Sequence, residues 1–440
     1  MVFLFAGYRH MQNLRSILLL AVSSNIIIYK LWRMYEIAVR WLKVTYKKIV
    51  NSIAFLPAVI AMLFLLLSFA MISFDFSNAG KNIKTNLHWL SLKDASTARS
   101  ICSAIAGGII SLAVFSFSMV MILLNQAASQ MSNRILGKLI SNRFQQFVLG
   151  FYIGTIVYAL FLLSTIRDIN SGIYVPAIST YLLIALTIAD IFLFIYFLHY
   201  ITEAIKYETI IHKIFDTTKE EITKRCILPD NPLLATKAEV EKEIAAYKSG
   251  LFQGFEKDGL ISLCKKHDAT VSFFHPVGTY LLEGTPLLSV SCKQNLSKDF
   301  EEKLPVVVNI HRGQAIETSY YYGFSQLMEI AVKALSPGIN DPGTAVISLH
   351  ALGDLLSLKL VRFAEIYLKD KENVVRVIVK EKTFEEIFNE CLLPIWDYGK
   401  NDRLIQQEIL NILTQLKMKE QDGATDKLLL SVQSAILENN

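Results

Sequence analysis

Asp190 is the acidic residue set deepest in an apolar stretch, within Thr187-Ile188-Ala189-Asp190-Ile191. A carboxyl group in hydrocarbon must face protein or water, so its presence points to function by default. The alternative is a protonated acid held in a structural hydrogen bond. Tyr152, Tyr158 and Tyr181 are the hydroxyl partners available on neighbouring runs. A second pattern precedes it. Ser103, Gly107, Ser111, Val114, Ser118 and Asn125 recur at helical spacing along one face, with Ala104 and Gly108 beside them. Small residues four apart let helix backbones approach closely. The face is therefore either a helix–helix seam or the lining of a water-filled pathway in an oligomer.

The third pattern is Ser336-Pro337-Gly338-Ile339-Asn340-Asp341-Pro342. Pro337 stops the preceding helix, Gly338 permits a positive φ, and Asp341 before Pro342 reads as an N-cap followed by a first-turn proline. This is either a rigid corner or a site where free backbone N–H groups and Asn340 meet an anion or carbonyl. Cys264 and His267 have a ligand-like spacing, with His275 and Cys292 downstream, yet a second close ligand pair is lacking. No metal or other cofactor is expected. His311, Arg312 and Glu317 could form an acid/base group, but nothing supplies a nucleophile. The chain carries no Walker loop, Gly-rich dinucleotide turn, HExxH pair, nucleophile elbow or kinase set. With no catalytic constellation, an enzyme is not the expectation.

The elements that must position these residues follow from charge. The chain has 440 residues, 52% hydrophobic and only 19% charged, with a mean hydropathy of +0.38. Residues 1–200 hold 16 Lys/Arg against 5 Asp/Glu, and residues 201–440 hold 28 against 34. A basic, charge-poor half and an acidic, charge-dense half exclude a wholly soluble protein and a disordered chain. Five scattered cysteines exclude a disulfide framework. The polar half lacks a basic stripe, so no nucleic-acid partner is expected.

Four apolar runs, about 52–74, 101–124, 145–166 and 173–200, the last interrupted only by Asp190, are long enough to cross a bilayer as helices. Arg33, Arg40, Lys43, Lys47 and Lys48 precede the first, Arg134, Lys138 and Arg143 separate the second from the third, and Lys206 and Lys213 follow the fourth. The positive-inside rule then places both termini and the acidic half in the cytoplasm of a bacterial inner-membrane protein. Lys81, Lys84, Lys93 and Arg99 in the opposite loop make this a majority vote. The apolar run 17–28 is short for a span, and residues 1–33 read as an interfacial or dispensable extension, with an extra span or a signal peptide as the alternatives.

The organisation expected is residues 1–33 as extension, 34–200 as transmembrane domain, 201–229 as a helical continuation of the fourth span, and 230–440 as a cytoplasmic domain. In the last, alternating residues punctuated by Gly and Pro over 249–292, with a further strand at 306–310, suggest a small β unit of barrel or half-barrel type. The fold class is thus an α-helical multi-pass membrane domain of four transmembrane helices, followed by an α+β domain with a barrel-like unit and a helix–turn–helix corner.

Ala334-Leu335-Ser336-Pro337-Gly338-Ile339-Asn340-Asp341-Pro342, preceded by Gln326-Leu327 and Ile330-Ala331, resembles the signature of the domain of unknown function 2254 family of predicted bacterial membrane proteins. Further matching pieces are Phe115-Ser116-Phe117-Ser118, Leu149-Gly150 with Thr155, Val157 and Tyr158, Ser249-Gly250, and Gly278 with Glu283-Gly284-Thr285-Pro286. The similarity runs from about Tyr35 to the C-terminus. Ser132-Asn133-Arg134 stands where the family tends to have Ser-Pro-Arg, and the Tyr-rich Ser319 to Tyr322 where it is often acidic. The resemblance implies four spans and a cytoplasmic C-terminal domain, and brings no established activity or cofactor. The functional expectation is a lipid-embedded homo-oligomer acting as an ion channel or conductance regulator. The alternative is a non-conducting sensor or scaffold that binds a ligand or protein through its cytoplasmic domain.

Overall fold

The computed structural model describes residues 50, 52, 54–86, 92, 94–130, 143–166, 175–204, 206–227, 240–293, 297–311, 319–420 and 423–438. The extension 1–33, the basic segment before the first span, the loops with Arg134, Lys138 and Arg167, and the pair Arg312 and Glu317 lie outside the described residues. The chain divides into two compact units, residues 1–118 with 141–198 and residues 119–140 with 199–440.

In the first unit, apolar composition over at least five turns gives four helices able to cross a membrane: α1 (Phe55–Phe76), α3 (Ala95–Gln130, apolar through Ile122), α4 (Arg143–Thr165) and α5 (Ala177–Ala204). The 22 residues of α1 span about 33 Å at 1.5 Å per residue, enough for the hydrocarbon layer. Pro57 sits in the first turn of α1, where its missing N–H leaves no bond broken. A short helix, α2 (Asn78–Asn86), follows α1.

One close helix seam of this unit joins α4 to α1, through Gly150 and Gly154 of α4. A Cβ on Gly150 would lie 2.7 Å from Ile60 Cδ1 and 3.0 Å from Pro57 Cα, and one on Gly154 would lie 2.7 Å from the Phe64 ring. Glycines four apart allow this approach, and Phe64 then meets Phe151 edge-on at 5.0 Å. Tyr158, Leu162, Cys102 and Leu183 complete the core around it.

The expected continuation of α5 into the next element is interrupted. Lys206 has φ −58° and ψ 133°, and a separate helix, α6 (Tyr207–Arg225), starts after it. Extended backbone at one residue ends the i→i−4 ladder, so 201–225 is two helices and not one rod.

The second unit is a mixed helix and sheet region. Its helical part holds α6, α9 (Tyr321–Ala334), α10 (Pro342–Leu360), α11 (Phe384–Gly399), α12 (Arg403–Lys417) and α13 (Asp426–Glu438). Leu327, Ile330, Leu349, Leu352, Phe388 and Ile409 share one buried cluster. Local chemistry sets the helix starts: Thr383 and Glu386 form a reciprocal capping box on α11, and the Asp402 carboxylate caps α12. Gly323 lets α9 cross α6 at contact distance, since a Cβ there would fall 1.8 Å from Thr218 Oγ1.

The sheet part forms no closed barrel among the described residues. Among the described residues β2 (Val240–Ala245), β6 (Pro286–Cys292), β4 (Ala269–Phe273), β10 (Val375–Ile378) and β9 (Tyr367–Lys369) form an open five-stranded sheet in that order. β5 (Tyr280–Leu281), β3 (Gly250–Phe255) and β7 (Val308–His311) form a separate three-stranded sheet, and β1 (Cys226–Ile227) pairs with β8 (Phe363–Ala364). The reason is non-local. β10 arrives from beyond α10 and pairs parallel with β4, Val377 opposite Val271, so the local strands do not close on themselves. Helices α7 (Lys257–Lys266) and α8 (Lys298–Val307) pack with the sheets over Phe252, Leu260, Val271 and Phe300. Helix α8 occupies part of the segment expected to be strand, which begins only at Val308.

Candidate functional site

On α3, Ser103, Gly107, Ser111, Ser118 and Asn125 are exposed, while Cys102, Ala106, Ile109, Ser116 and Val120 form the buried stripe. A Cβ on Gly107 or Gly108 would meet nothing within 4 Å. Within the single chain this face is thus open at Gly107 and Gly108, whereas Gly150 and Gly154 are closely packed. Ser111 Oγ donates to the Gly107 carbonyl at 2.9 Å and Ser118 Oγ to the Val114 carbonyl at 2.9 Å. Each hydroxyl thus satisfies its own proton within the helix and leaves lone pairs outward. Large apolar side chains, Ile110, Phe117 and Met121, flank the stripe and are exposed as well.

Asp190 is fully buried on α5, and neither carboxylate oxygen has a hydrogen-bond partner. Two side chains of α4, one helical step of three apart, share its surroundings: Thr155 lies beside it and Tyr152 senses its charge. Thr155 Oγ1 and Tyr152 Oη are likewise buried without a bonded partner. Ser116 of α3 lies next to the Tyr152 hydroxyl, its own proton given to the Leu112 carbonyl at 2.8 Å. Of the partners expected from sequence, Tyr158 is engaged elsewhere, donating to the Ser179 carbonyl at 3.2 Å.

A second buried acid was not anticipated. Asp75, at the end of α1, is fully buried and pairs with Lys84 of α2 at 3.1 Å. Its Oδ2 accepts from the Ser179 N–H and the Ser179 hydroxyl, each at 2.7 Å, and Oδ1 from the Ile178 N–H at 3.4 Å. Lys84 Nζ also donates to the Val175 carbonyl at 3.2 Å. Asp75 therefore supplies, from another helix, the anionic cap that the N-terminus of α5 lacks in its own sequence.

At the 336–342 corner the positive φ falls on Asn340, at 49°, and not on Gly338. Asn tolerates that region because its short polar side chain adds little clash. The Asp341 carboxylate accepts from the Thr344 N–H at 3.1 Å and its hydroxyl at 2.6 Å. That carboxylate occupies the position an anion would take. Pro337, Gly338 and Asn340 are exposed around it, and Pro342 opens α10.

The second unit also contains a cavity of about 510 Å³, lined by Lys224, Arg225, Lys257, Ser319, Tyr320 and Glu381 among others. Ser319 Oγ is buried there without a partner. Tyr320 donates to Glu381 Oε2 at 3.1 Å, and Tyr321 to the same oxygen while accepting from the Lys382 N–H at 3.0 Å. Burial, reinforced by the Glu381 charge, pushes both phenols well above the usual tyrosine range, so they act as donors. The Tyr-rich entry was visible in sequence; the cavity was not, because its walls come from segments far apart. Cys264 and His267 do not gather a ligand set. Burial pushes the Cys264 thiol up to about 12, and among the described residues no three acidic, His or Cys side chains could hold a metal.

Similar proteins are found in mycobacteria. A protein of Mycobacterium bovis and one of Mycobacterium tuberculosis, both described as uncharacterised, are each 24% identical over 331 residues. Those matches cover 72% of this chain and 63% of each relative's length. No solved structure matches. The sequence model of a family described as "Predicted membrane protein (DUF2254)" matches residues 50–415, a span that includes the four apolar helices, the 336–342 corner and both sheets. The chain belongs to that family of predicted membrane proteins.

Proposed function

We propose that the chain is one subunit of an oligomeric ion channel or conductance regulator, with both termini on the cytoplasmic side of a bacterial inner membrane. The observation that carries this reading is the small and polar stripe Ser103, Gly107, Ser111 and Ser118. It is left uncovered on a helix whose opposite stripe is buried. Gly107 and Gly108 leave room for a second backbone, and the serine lone pairs suit passing cations. Purified full-length protein in liposomes is predicted to pass monovalent cations under voltage or tension, with Ser111→Leu reducing the flux at least tenfold. Absence of flux in wild type under both stimuli overturns the reading. A non-conducting sensor is the second reading, favoured by the cavity beneath Tyr320 and the unpartnered Ser319 hydroxyl.

A further inference from the structure

The two buried acids of the membrane unit are treated differently by their surroundings. Asp75 meets a lysine, a serine hydroxyl and two backbone N–H groups. Asp190 is as deeply enclosed, yet among the described residues neither of its oxygens completes a hydrogen bond of ordinary geometry and no ion pair joins it. Beside it lie the hydroxyls of Thr155, next to the Asp190 carboxylate, and of Tyr152, next to Ser116, both enclosed and, among the described residues, short of a hydrogen bond of ordinary geometry. Helices α3, α4 and α5 thus bring together one carboxylate, these two hydroxyls and Ser116 Oγ, whose proton is already given to Leu112. Every one of these is a hard oxygen able to donate a lone pair to a cation.

We propose that Asp190, Thr155 and Tyr152 form a binding site for a small, dehydrated monovalent cation of the Na⁺ type. One negative charge balances one positive charge. A Ca²⁺ or Mg²⁺ site would call for further carboxylates or retained water, and an anion is excluded by the carboxylate itself. The absence of exposed surface on these oxygens selects an ion stripped of its shell. The site lies on the buried side of α3, away from the open serine stripe, so it stands whether or not that stripe conducts.

The test is competition between cation and carbodiimide on the full-length protein in lipid nanodiscs. A hydrophobic carbodiimide modifies a carboxyl that exchanges protons, and a cation on that carboxyl excludes it. Labelling at Asp190, located by peptide mass spectrometry, is predicted to slow at least fivefold when 100 mM choline chloride is replaced by NaCl or LiCl. Thr155→Ala and Tyr152→Phe are predicted to label in choline and to show less than twofold protection. Equal rates in choline, Na⁺ and Li⁺ overturn the site, as does a failure of wild-type Asp190 to label anywhere between pH 5 and 8. Since binding is read directly, a null result in the liposome flux assay does not produce either outcome.

Discussion

Replacing Asp75 by Ala takes from the enclosed Lys84 ammonium, 2% of its side chain exposed, the carboxylate it pairs with at 3.1 Å. It also leaves the Ser179 N–H and hydroxyl without the oxygen that accepts both. Breaking a buried pair from one side typically costs about 3–5 kcal/mol. Lys84→Met is gentler, because Asp75 keeps its three donors and the positive end of α5. In the double variant the ammonium is gone, and the residual cost is that of the uncapped donors at Ser179, about 1–3 kcal/mol. For a cooperative unit of this size each kcal/mol moves the midpoint by about 2–4 °C. Asp75→Ala should therefore lower Tm by roughly 6–20 °C, Lys84→Met by less, and the double variant should recover part of the loss. Thermal unfolding of the purified protein in detergent, followed by size-exclusion of the surviving fraction, reads all three. A Lys84→Met loss larger than that of Asp75→Ala, or a double variant no better than Asp75→Ala, refutes the cap-and-pair reasoning.

Gly154→Ala is predicted to destabilise by about 1–3 kcal/mol through overpacking against Phe64, while Gly107→Ala leaves the thermal midpoint of the separated subunit unchanged; the same detergent assay measures both. In the second unit Arg376 Nε bonds Asp370 at 2.8 Å and its other arm reaches Asp268 at 2.9 Å. The guanidinium holds both carboxyls below their ordinary value, chiefly through these hydrogen bonds. Their folded values lie under the unfolded ones, so the stabilisation is complete above about pH 4 and is lost as pH falls through the folded values. Hydrogen exchange of β4 and β10, corrected for intrinsic rate, should be flat from pH 7 to 5 and rise below pH 4, and Arg376→Met should flatten that rise. Cys264 and Cys391, each pushed up to about 12 by burial, should resist iodoacetamide at pH 8 and react fully once the chain is unfolded.

The four spans were legible because each is an apolar run longer than 20 residues with charges at its edges and at most one within, and helices answer those runs within a few residues. Gly150 and Gly154 were equally visible as a spacing, but the more populous Ser103 stripe competed for the same role. Nothing local reveals which helix a glycine pair will face. The Asp75 cap was out of reach, since Ser179 lies 104 residues away. The open sheet shows the same limit: β4 and β10 are brought together by the helices between them, with Thr270 Oγ1 bonding the Val375 carbonyl across 105 residues. Helix α8 was legible in principle, with Ser297 capping Phe300 N–H and Asp299 and Glu301 in the first turn. The β-branched run Val306-Val307-Val308 after Pro305 gave the segment a strand-like composition. Asn340 took the positive φ expected of Gly338 because the turn places the left-handed residue directly before the Asp341 cap.

The proposed assembly is tested most directly by cysteine cross-linking in native membranes, with all five native thiols buried and so silent in the folded chain. Ser111→Cys, on the open stripe, is predicted to form a disulfide-linked dimer on mild oxidation, while Met62→Cys on the exposed side of α1 stays monomeric. A Ser111→Cys protein that remains monomeric while Met62→Cys cross-links would contradict an oligomer built on the α3 face.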